Sequence, residues 1–239
     1  MCGRFVAASP PEELAAFFDA ENLVDPLDVA SCARFNVAPT DPVLVCVREG
    51  DGRVLDTYRW GLVPGFARDP RIGNRMINAR SETAATNRAF RYSFEHRRCL
   101  VPATGFYEWR RSDRQPYFIH RADGEPLVFA GLWAEWHGRV AGEESVLRST
   151  AILTRAANGF ISPIHDRMPV VLDRSQWVRW LDPGTDDGEE PLSSMGPPAE
   201  DVLVMHPVGR AVNNARNDGP DLIVAVEDPG AGPVQGVLL

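Results

Sequence analysis

The chain contains no lysine: all 25 of its basic Lys or Arg positions are arginine. It therefore carries a single class of aliphatic amine, the α-amine at its start. Among apolar stretches, no run of about 18 residues is long enough for a membrane helix. The opening residues MCGRFVAASPPEE lack the charged-then-apolar layout of a signal peptide, so the expectation is an intracellular, cytoplasmic protein. The four cysteines, Cys2, Cys32, Cys46 and Cys99, show no C-x-x-C spacing, which leaves a metal site without support. The last three read as buried thiols of a reducing compartment. Walker loops, G-x-G-x-x-G, G-x-S-x-G and H-E-x-x-H are also missing, so nucleotide, dinucleotide, serine-hydrolase and zinc-protease chemistries are not indicated.

What is present begins at residue two. Cys2 follows Met1 directly, and initiator methionine is removed when the second residue is small. The mature chain would then start with a free α-amine and a thiol on one residue. Such an aminothiol is a nucleophile in its own right. It also condenses with an aldehyde to an imine, which the thiol closes to a thiazolidine. An α-amine titrates near ~7.7–8.0 against ~10.4 for lysine, so a useful fraction is neutral at pH 7. The competing reading makes Cys2 a small buried side chain.

Net charge is −8, yet residues 59–121 hold 13 Arg and five Asp or Glu, while 182–201 hold seven acids and no Arg. A basic segment on an acidic background suits a phosphate-bearing partner; scattered surface ion pairs are the alternative. Trp60, Phe66, Trp109 and Trp133 lie in or beside that segment. Arginines interleaved with aromatics suit a single-stranded nucleic-acid groove, and Phe66 and Trp109 are the candidates for exposure.

At 239 residues and 44% hydrophobic, the chain is the size of one globular domain. Ser9-Pro10-Pro11-Glu12 starts a helix to about Ala20. Strands are expected at 43–47 and 54–58 around a Glu49-Gly50-Asp51-Gly52 hairpin turn, then at 99–101, 105–110, 117–120, 127–133, 149–153, 202–205 and 222–226. Ser81 is placed to cap a helix over 82–94, and Asp173 one over 174–181. Residues 182–200 read as an acidic surface loop and 230–239 as a loose tail. Many short strands with few helices give an α+β domain over 1–229 with a mostly antiparallel, barrel-like sheet.

Three more residues have chemistry in their surroundings. Glu108 sits in Gly105-Phe106-Tyr107-Glu108-Trp109. Pointing inward, its carboxyl is desolvated and suited to general acid work; strand alternation equally allows it to face solvent. His165, in Ile164-His165-Asp166-Arg167-Met168-Pro169, is placed for proton transfer at neutral pH, or is a surface histidine. Asn78 precedes the expected helix, where its amide would hold an amine or oxyanion, or serve a turn. Arg80 beside it would meet a phosphate near the helix start.

Taken in order, these stretches resemble the SRAP family, the SOS response-associated peptidase-like proteins. The match runs through Met1-Cys2-Gly3-Arg4-Phe5, Phe35-Asn36-Val37-Ala38-Pro39 and Trp60-Gly61-Leu62-Val63-Pro64. It continues through Asn78-Ala79-Arg80-Ser81-Glu82-Thr83, the run Arg98 to Trp109, Phe129-Ala130-Gly131-Leu132-Trp133, His165-Asp166-Arg167-Met168-Pro169 and Asn217-Asp218-Gly219-Pro220. The resemblance implies a sensor of abasic sites in single-stranded DNA that removes its own Met1 and crosslinks covalently through Cys2. It places the catalytic set on Cys2, Asn78, Glu108 and His165. DNA contacts fall on Arg4, Arg80, Trp109 and Arg167, and a wedge against neighbouring duplex on Pro39 and Thr40. No metal or organic cofactor is called for, and a monomer is expected. Some members carry tryptophans just before the asparagine motif; the stretch Arg68 to Asn74 has none here. The rival expectation is an N-terminal-nucleophile amidohydrolase or a cysteine peptidase acting in trans. A non-covalent DNA-binding module would explain the arginines but leave Cys2 without a role.

Overall fold

The structure is a computed structural model of the chain. The structure describes residues 2–28, 32–140, 142–182, 192, 195–196, 198–199 and 201–230. The expected acidic loop over 182–200 and the tail over 230–239 lie almost wholly outside the described residues.

The apolar runs on either side of Gly50 pair as the expected hairpin, β4 (Pro42–Glu49) with β5 (Gly52–Trp60). Gly50 turns the chain at φ 56°, a conformation glycine adopts without a Cβ clash. β4 pairs next with β7 (Arg98–Ala103), β7 with β10 (Leu127–Val140), and β10 with β11 (Glu143–Ala156), all antiparallel. Two parallel pairs, Ser149 with Arg59 and Thr150 with Trp60, join β11 back to β5 and close a five-stranded barrel. The ladder continues through the short strand β2 (Glu21–Asn22) beside β5. Closure leaves the five barrel strands without an open edge and buries one face of each. Leu100, Leu132, Cys46 and Leu55 are among the side chains completely removed from solvent.

A second sheet lies against this barrel in the order β13 (Leu203–Pro207), β9 (Pro116–Arg121), β8 (Gly105–Trp109), β1 (Phe5–Ala7), β3 (Arg34–Val37). Its inner face is aromatic. The Phe5 ring stands 5.1 Å from Trp60 and 6.4 Å from Phe129, both edge-on, so β1 is pinned to the barrel wall. That anchor fixes the position of the three residues before it, including Cys2.

Helices are few and peripheral. α1 (Pro11–Phe18) forms as expected, with Leu14, Ala15 and Phe18 buried. The expected helix over 82–94 is two pieces instead, α2 (Ser81–Ala84) and α3 (Arg91–His96). Asn87 breaks it: its side chain accepts from Ala89 N at 2.9 Å, an Asx turn that competes with the helical ladder. Ser81 is also not the cap; it is the first helical residue. The segment 174–181 divides into a 3₁₀ turn (Arg174–Gln176) and α4 (Trp177–Leu181), with the expected cap at Asp173 formed as a capping box with Gln176. The strand expected at 222–226 is a 3₁₀ turn, Pro220–Ile223, because Pro220 sets a helical φ and removes a donor that a ladder would need. Cys46 and Cys99 are buried, and burial pushes both thiols up to about 12. Cys32 is exposed, contrary to expectation, because it sits in the connection before β3 and outside both sheets.

Candidate active site

The site assembles where two short strands flank the end of β11. β6 (Asn78–Arg80) runs parallel to β11 on one side, with Ile152 opposite Asn78 and Thr154 opposite Arg80. β12 (Arg167–Pro169) runs antiparallel on the other, with Thr154 opposite Pro169. Thr154 therefore sits between the asparagine and histidine segments, and both chains lead into one corner. β8 brings Glu108 to the same corner, because Phe5 pairs with Phe106 and Tyr107 N donates to Arg4 O at 3.0 Å. Trp60 holds the approach to Asn78: its indole N–H donates to Ile77 O at 2.9 Å. Gly61 follows at φ 125°, and any Cβ there would collide with the Gly73 carbonyl, so the Trp-Gly pair requires glycine.

The four expected catalytic residues are brought together. Cys2 is completely buried. Asn78 Nδ2 donates to Cys2 O at 2.8 Å, while Asn78 Oδ1 is buried without a hydrogen-bond partner. Glu108 is 3% exposed, so both faces of β8 are covered at Tyr107 and Glu108, and the solvent-facing alternative is excluded. His165 Nε2 lies 3.7 Å from Glu108 Oε1. On the other side of the ring, Arg167 N donates to His165 Nδ1 at 2.9 Å. That bond requires a lone pair on Nδ1, so the neutral ring carries its proton on Nε2, facing Glu108. Burial lowers the His165 pKa below its ordinary value, with the nearby Glu108 carboxylate opposing, which keeps the ring neutral at pH 7. Burial also raises the Cys2 thiol well above the normal range, and the Glu108 charge adds to that. Among the described residues no group of three His, Cys, Asp or Glu is arranged to hold a metal.

Beside Cys2 a cleft of about 440 Å³ is lined by Gly3, Arg4, Pro39, Trp109, Arg114 and Asn213. Three of the expected DNA-contacting residues, Arg4, Pro39 and Trp109, thus share one wall. Trp109 is half-buried, and its indole N–H donates to Asn213 Oδ1 at 2.8 Å, which fixes the ring plane. Thr40 is exposed at φ 80° and faces a separate cleft of about 490 Å³ with Arg59 and Arg148. A β-branched residue in the left-handed region costs on the order of 1–3 kcal/mol; here Thr40 N is held by Trp60 O at 2.8 Å. Arg80 is exposed at the start of α2. Phe66 is exposed, under the Arg88 guanidinium at 5.0 Å, and lines neither of these clefts.

Arg167 is not an unengaged cation. It grips Glu82 with two bonds of 2.6 and 2.9 Å and donates to Thr154 O at 2.6 Å, tying the histidine segment to the asparagine segment. That pairing lowers the Glu82 carboxyl from 4.5 to about 2. A carboxyl depressed in the folded state stabilises it above the ordinary value, and the contribution fades as pH falls toward the folded one. Replacing Glu82 by glutamine is therefore expected to lower the urea midpoint at pH 7, with the gap to wild type narrowing steadily as pH falls from 4.5 toward about 2. A gap independent of pH would refute the pairing.

Two residues with no chemical signal in the sequence turn out to shape the cleft. Asn36 is completely buried; its amide donates to Val212 O, Asn214 O and Asn217 O at 3.2, 3.1 and 2.9 Å, and its Oδ1 accepts from Arg4 Nη1 at 2.9 Å. Asp218 accepts from Phe35 N and Arg34 Nε, each at 2.6 Å. The Phe-Asn-Val-Ala-Pro and Asn-Asp-Gly-Pro stretches are thus two halves of one scaffold that holds Arg4. Asn36→Leu removes the donor to Asn217 O and one of the two bonds of Arg4 Nη1, whose other goes to Val212 O at 3.0 Å, and is expected to cost about 1–3 kcal/mol in urea unfolding; a loss within 0.5 kcal/mol would show the network to be dispensable.

A barrel closed through β11, with the cysteine at position two, a buried carboxylate, a histidine and an asparagine converging on one corner, defines a single-domain α+β protein with one polar site at the start of its chain. The chain belongs to the SOS response associated peptidase family, whose model matches residues 1–215. It is 36% identical over 233 residues to the abasic site processing protein YedK of Escherichia coli, spanning 95% of this chain and 100% of that protein. It is 34% identical over 226 residues to the abasic site processing protein YoqW of Bacillus subtilis, spanning 93% and 99%. In fold it is similar to a crystal structure of a Bacteroides thetaiotaomicron protein, at a TM-score of 0.80 and 21% identity over 95% of this chain.

Proposed function

We propose that the chain captures abasic sites in single-stranded DNA by a covalent bond to Cys2, after loss of Met1. The observation that carries this reading is the convergence on Cys2: Asn78 bonded to its carbonyl at 2.8 Å, with Glu108 and His165 paired at 3.7 Å beside it. The relatives' shared description as abasic site processing proteins supports it.

An abasic deoxyribose exposes an aldehyde at C1′ when its ring opens. Glu108, as the acid, delivers a proton to the ring oxygen as the C1′–O bond breaks, while the C1′ hydroxyl gives up its proton to water and becomes the aldehyde oxygen. The Cys2 amine adds to C1′, and the carbinolamine loses its hydroxyl as water with a proton supplied through His165. The thiol then adds to the imine carbon while its proton passes to nitrogen, closing the thiazolidine. Holding amine, thiol and aldehyde on one scaffold supplies the effective concentration. Closure removes the imine from which β-elimination and strand scission would proceed.

Burial of the thiol favours one of the two readings of Cys2. A cysteine acting as first nucleophile in a peptidase or amidohydrolase has its pKa depressed. Here burial raises it, which supports the amine as first nucleophile and the sulfur as second. Cleavage before Cys2 is the peptidase-like step, a reaction in cis. All the residues invoked come from one chain, so a monomer suffices, acting on DNA in the cytoplasm. The cleft with Arg4, Pro39 and Trp109 takes the strand next to the lesion, and Pro39 and Thr40 abut duplex at a junction.

The test is incubation of Met1-processed protein with single-stranded DNA carrying one abasic site, read by denaturing gel and intact mass. A heat-stable adduct equal to protein plus DNA minus one water is expected, with none on unmodified DNA. No adduct from fully processed protein would overturn the reading.

A further inference from the structure

His165 Nδ1 faces two groups that make opposite demands. Arg167 N donates to it at 2.9 Å, which requires a lone pair, while Asp166 Oδ1 approaches it at 3.0 Å, which rewards a proton there. Both contacts are satisfied only in turn. With the ring neutral, the carboxylate faces a lone pair; with the ring protonated on both nitrogens, Nδ1–H bonds Asp166 and turns from the Arg167 amide. A third group decides the balance: Arg111 Nη2 holds the same Asp166 oxygen at 2.5 Å, drawing its charge away from the ring.

The side chains of Arg111 and Asp166 are 60% and 59% exposed, unlike those of His165 and Glu108 behind them at 16% and 4%. Arg111 stands in the loop between β8 and β9. That loop carries Arg110, tied to Asp113 and Asp228, and Arg114, which lines the Trp109 cleft. A DNA backbone lying in the cleft passes this loop, and a phosphate there competes with Asp166 for the Arg111 guanidinium.

We propose that Arg111 and Asp166 are positioning residues that couple DNA binding to the proton on His165. When a phosphate takes Arg111, Asp166 is released to His165 Nδ1 and the doubly protonated ring is favoured. The proton needed to expel water from the carbinolamine is thereby loaded only when a strand is bound. This inference rests on the proposed role of His165 in crosslinking. The other charges facing the ring are Glu108 from β8, which also favours the protonated form, and Arg111 and the positive chain start, which oppose it; the Cys2 thiol, raised by burial, stays neutral.

The experiment is an NMR titration of the His165 ring in the full, Met1-processed chain, with His165→Gln assigning the signal. It is run free and with a single-stranded oligonucleotide that has no abasic site. In wild type the midpoint is expected to rise by about one pH unit on DNA binding, the usual effect of exposing a group to one nearby charge. Arg111→Gln is expected to start at the raised midpoint and respond little to DNA. Asp166→Asn is expected to stay low in both states. A wild-type midpoint unmoved by bound DNA, or an Arg111→Gln midpoint equal to wild type with only weaker DNA binding, would overturn the coupling. Both variants alter exposed side chains, so folding is not at issue. The titration involves no crosslink. A normal titration with no adduct on abasic DNA would therefore sink the crosslinking reading and leave the coupling standing.

Discussion

Cys2→Ala, once Met1 has been removed, is expected to lose the heat-stable adduct by on the order of 10²-fold or more, since the intramolecular thiol that traps the imine is gone. The amine remains on the new first residue. Borohydride should therefore still trap an imine between protein and C1′. Without reductant, the imine is left open to β-elimination, so a fraction of the DNA strand should be cleaved where the wild-type protein leaves it whole. Cys2→Ser makes the same distinction with almost no change in volume, which matters because Cys2 is completely buried. The three readouts (stable adduct, trapped imine, cleaved strand) separate sulfur from nitrogen. A heat-stable adduct from either variant at wild-type yield would assign the crosslink to another residue. With no lysine in the chain, no side-chain amine is available to stand in. Loss of the trapped imine as well would mean that the amine does not reach the aldehyde unless sulfur first binds it.

How much of this was legible in the residues depends on whether a feature is local. The hairpin at Gly50, α1 and the cap at Asp173 follow from turn, proline and cap chemistry within a few residues, and all three form, α1 starting after Pro10 without a side-chain cap. Glu108 was ambiguous in sequence because strand alternation alone does not say whether a second layer covers the other face. The pinning of β1 by Phe5 against Trp60 brings that layer into place. The broken helix over 82–94 had its signal in Asn87, whose turn-forming side chain outweighed the apolar pattern around it. Asn36, Asp218 and the Arg111–Asp166 pair were not legible. Each acts across more than 50 residues of chain, and only the register of β3 on β1, or of β12 on β11, brings the partners within reach. Arg167 shows the same limit from the other side. It was expected at DNA, yet its nearest demand is Glu82, which holds the two halves of the site together.

Glu108→Gln is expected to slow crosslinking by about 10²–10⁴-fold, the range for losing a positioned proton donor, while DNA affinity changes less than about threefold. The amide matches the carboxyl in shape and sits in the same 3%-exposed place beside His165. It cannot give a proton to the ring oxygen, so the sugar would open only at its unaided rate. Stability should change little, because the amide fills the same buried volume as the carboxyl. A melting point at or above wild type would confirm that the lost rate is chemical and not a folding defect. The two proton-handling roles can then be divided by the substrate. An oligonucleotide bearing a ring-opened aldehyde that cannot cyclise has no ring oxygen to protonate. If Glu108 acts at ring opening, Glu108→Gln should recover most of its rate on that substrate, whereas His165→Gln should remain slow. A glutamine variant that crosslinks natural abasic DNA within twofold of wild type would remove Glu108 from the chemistry. Its burial against His165 would then be a matter of holding the imidazole tautomer alone.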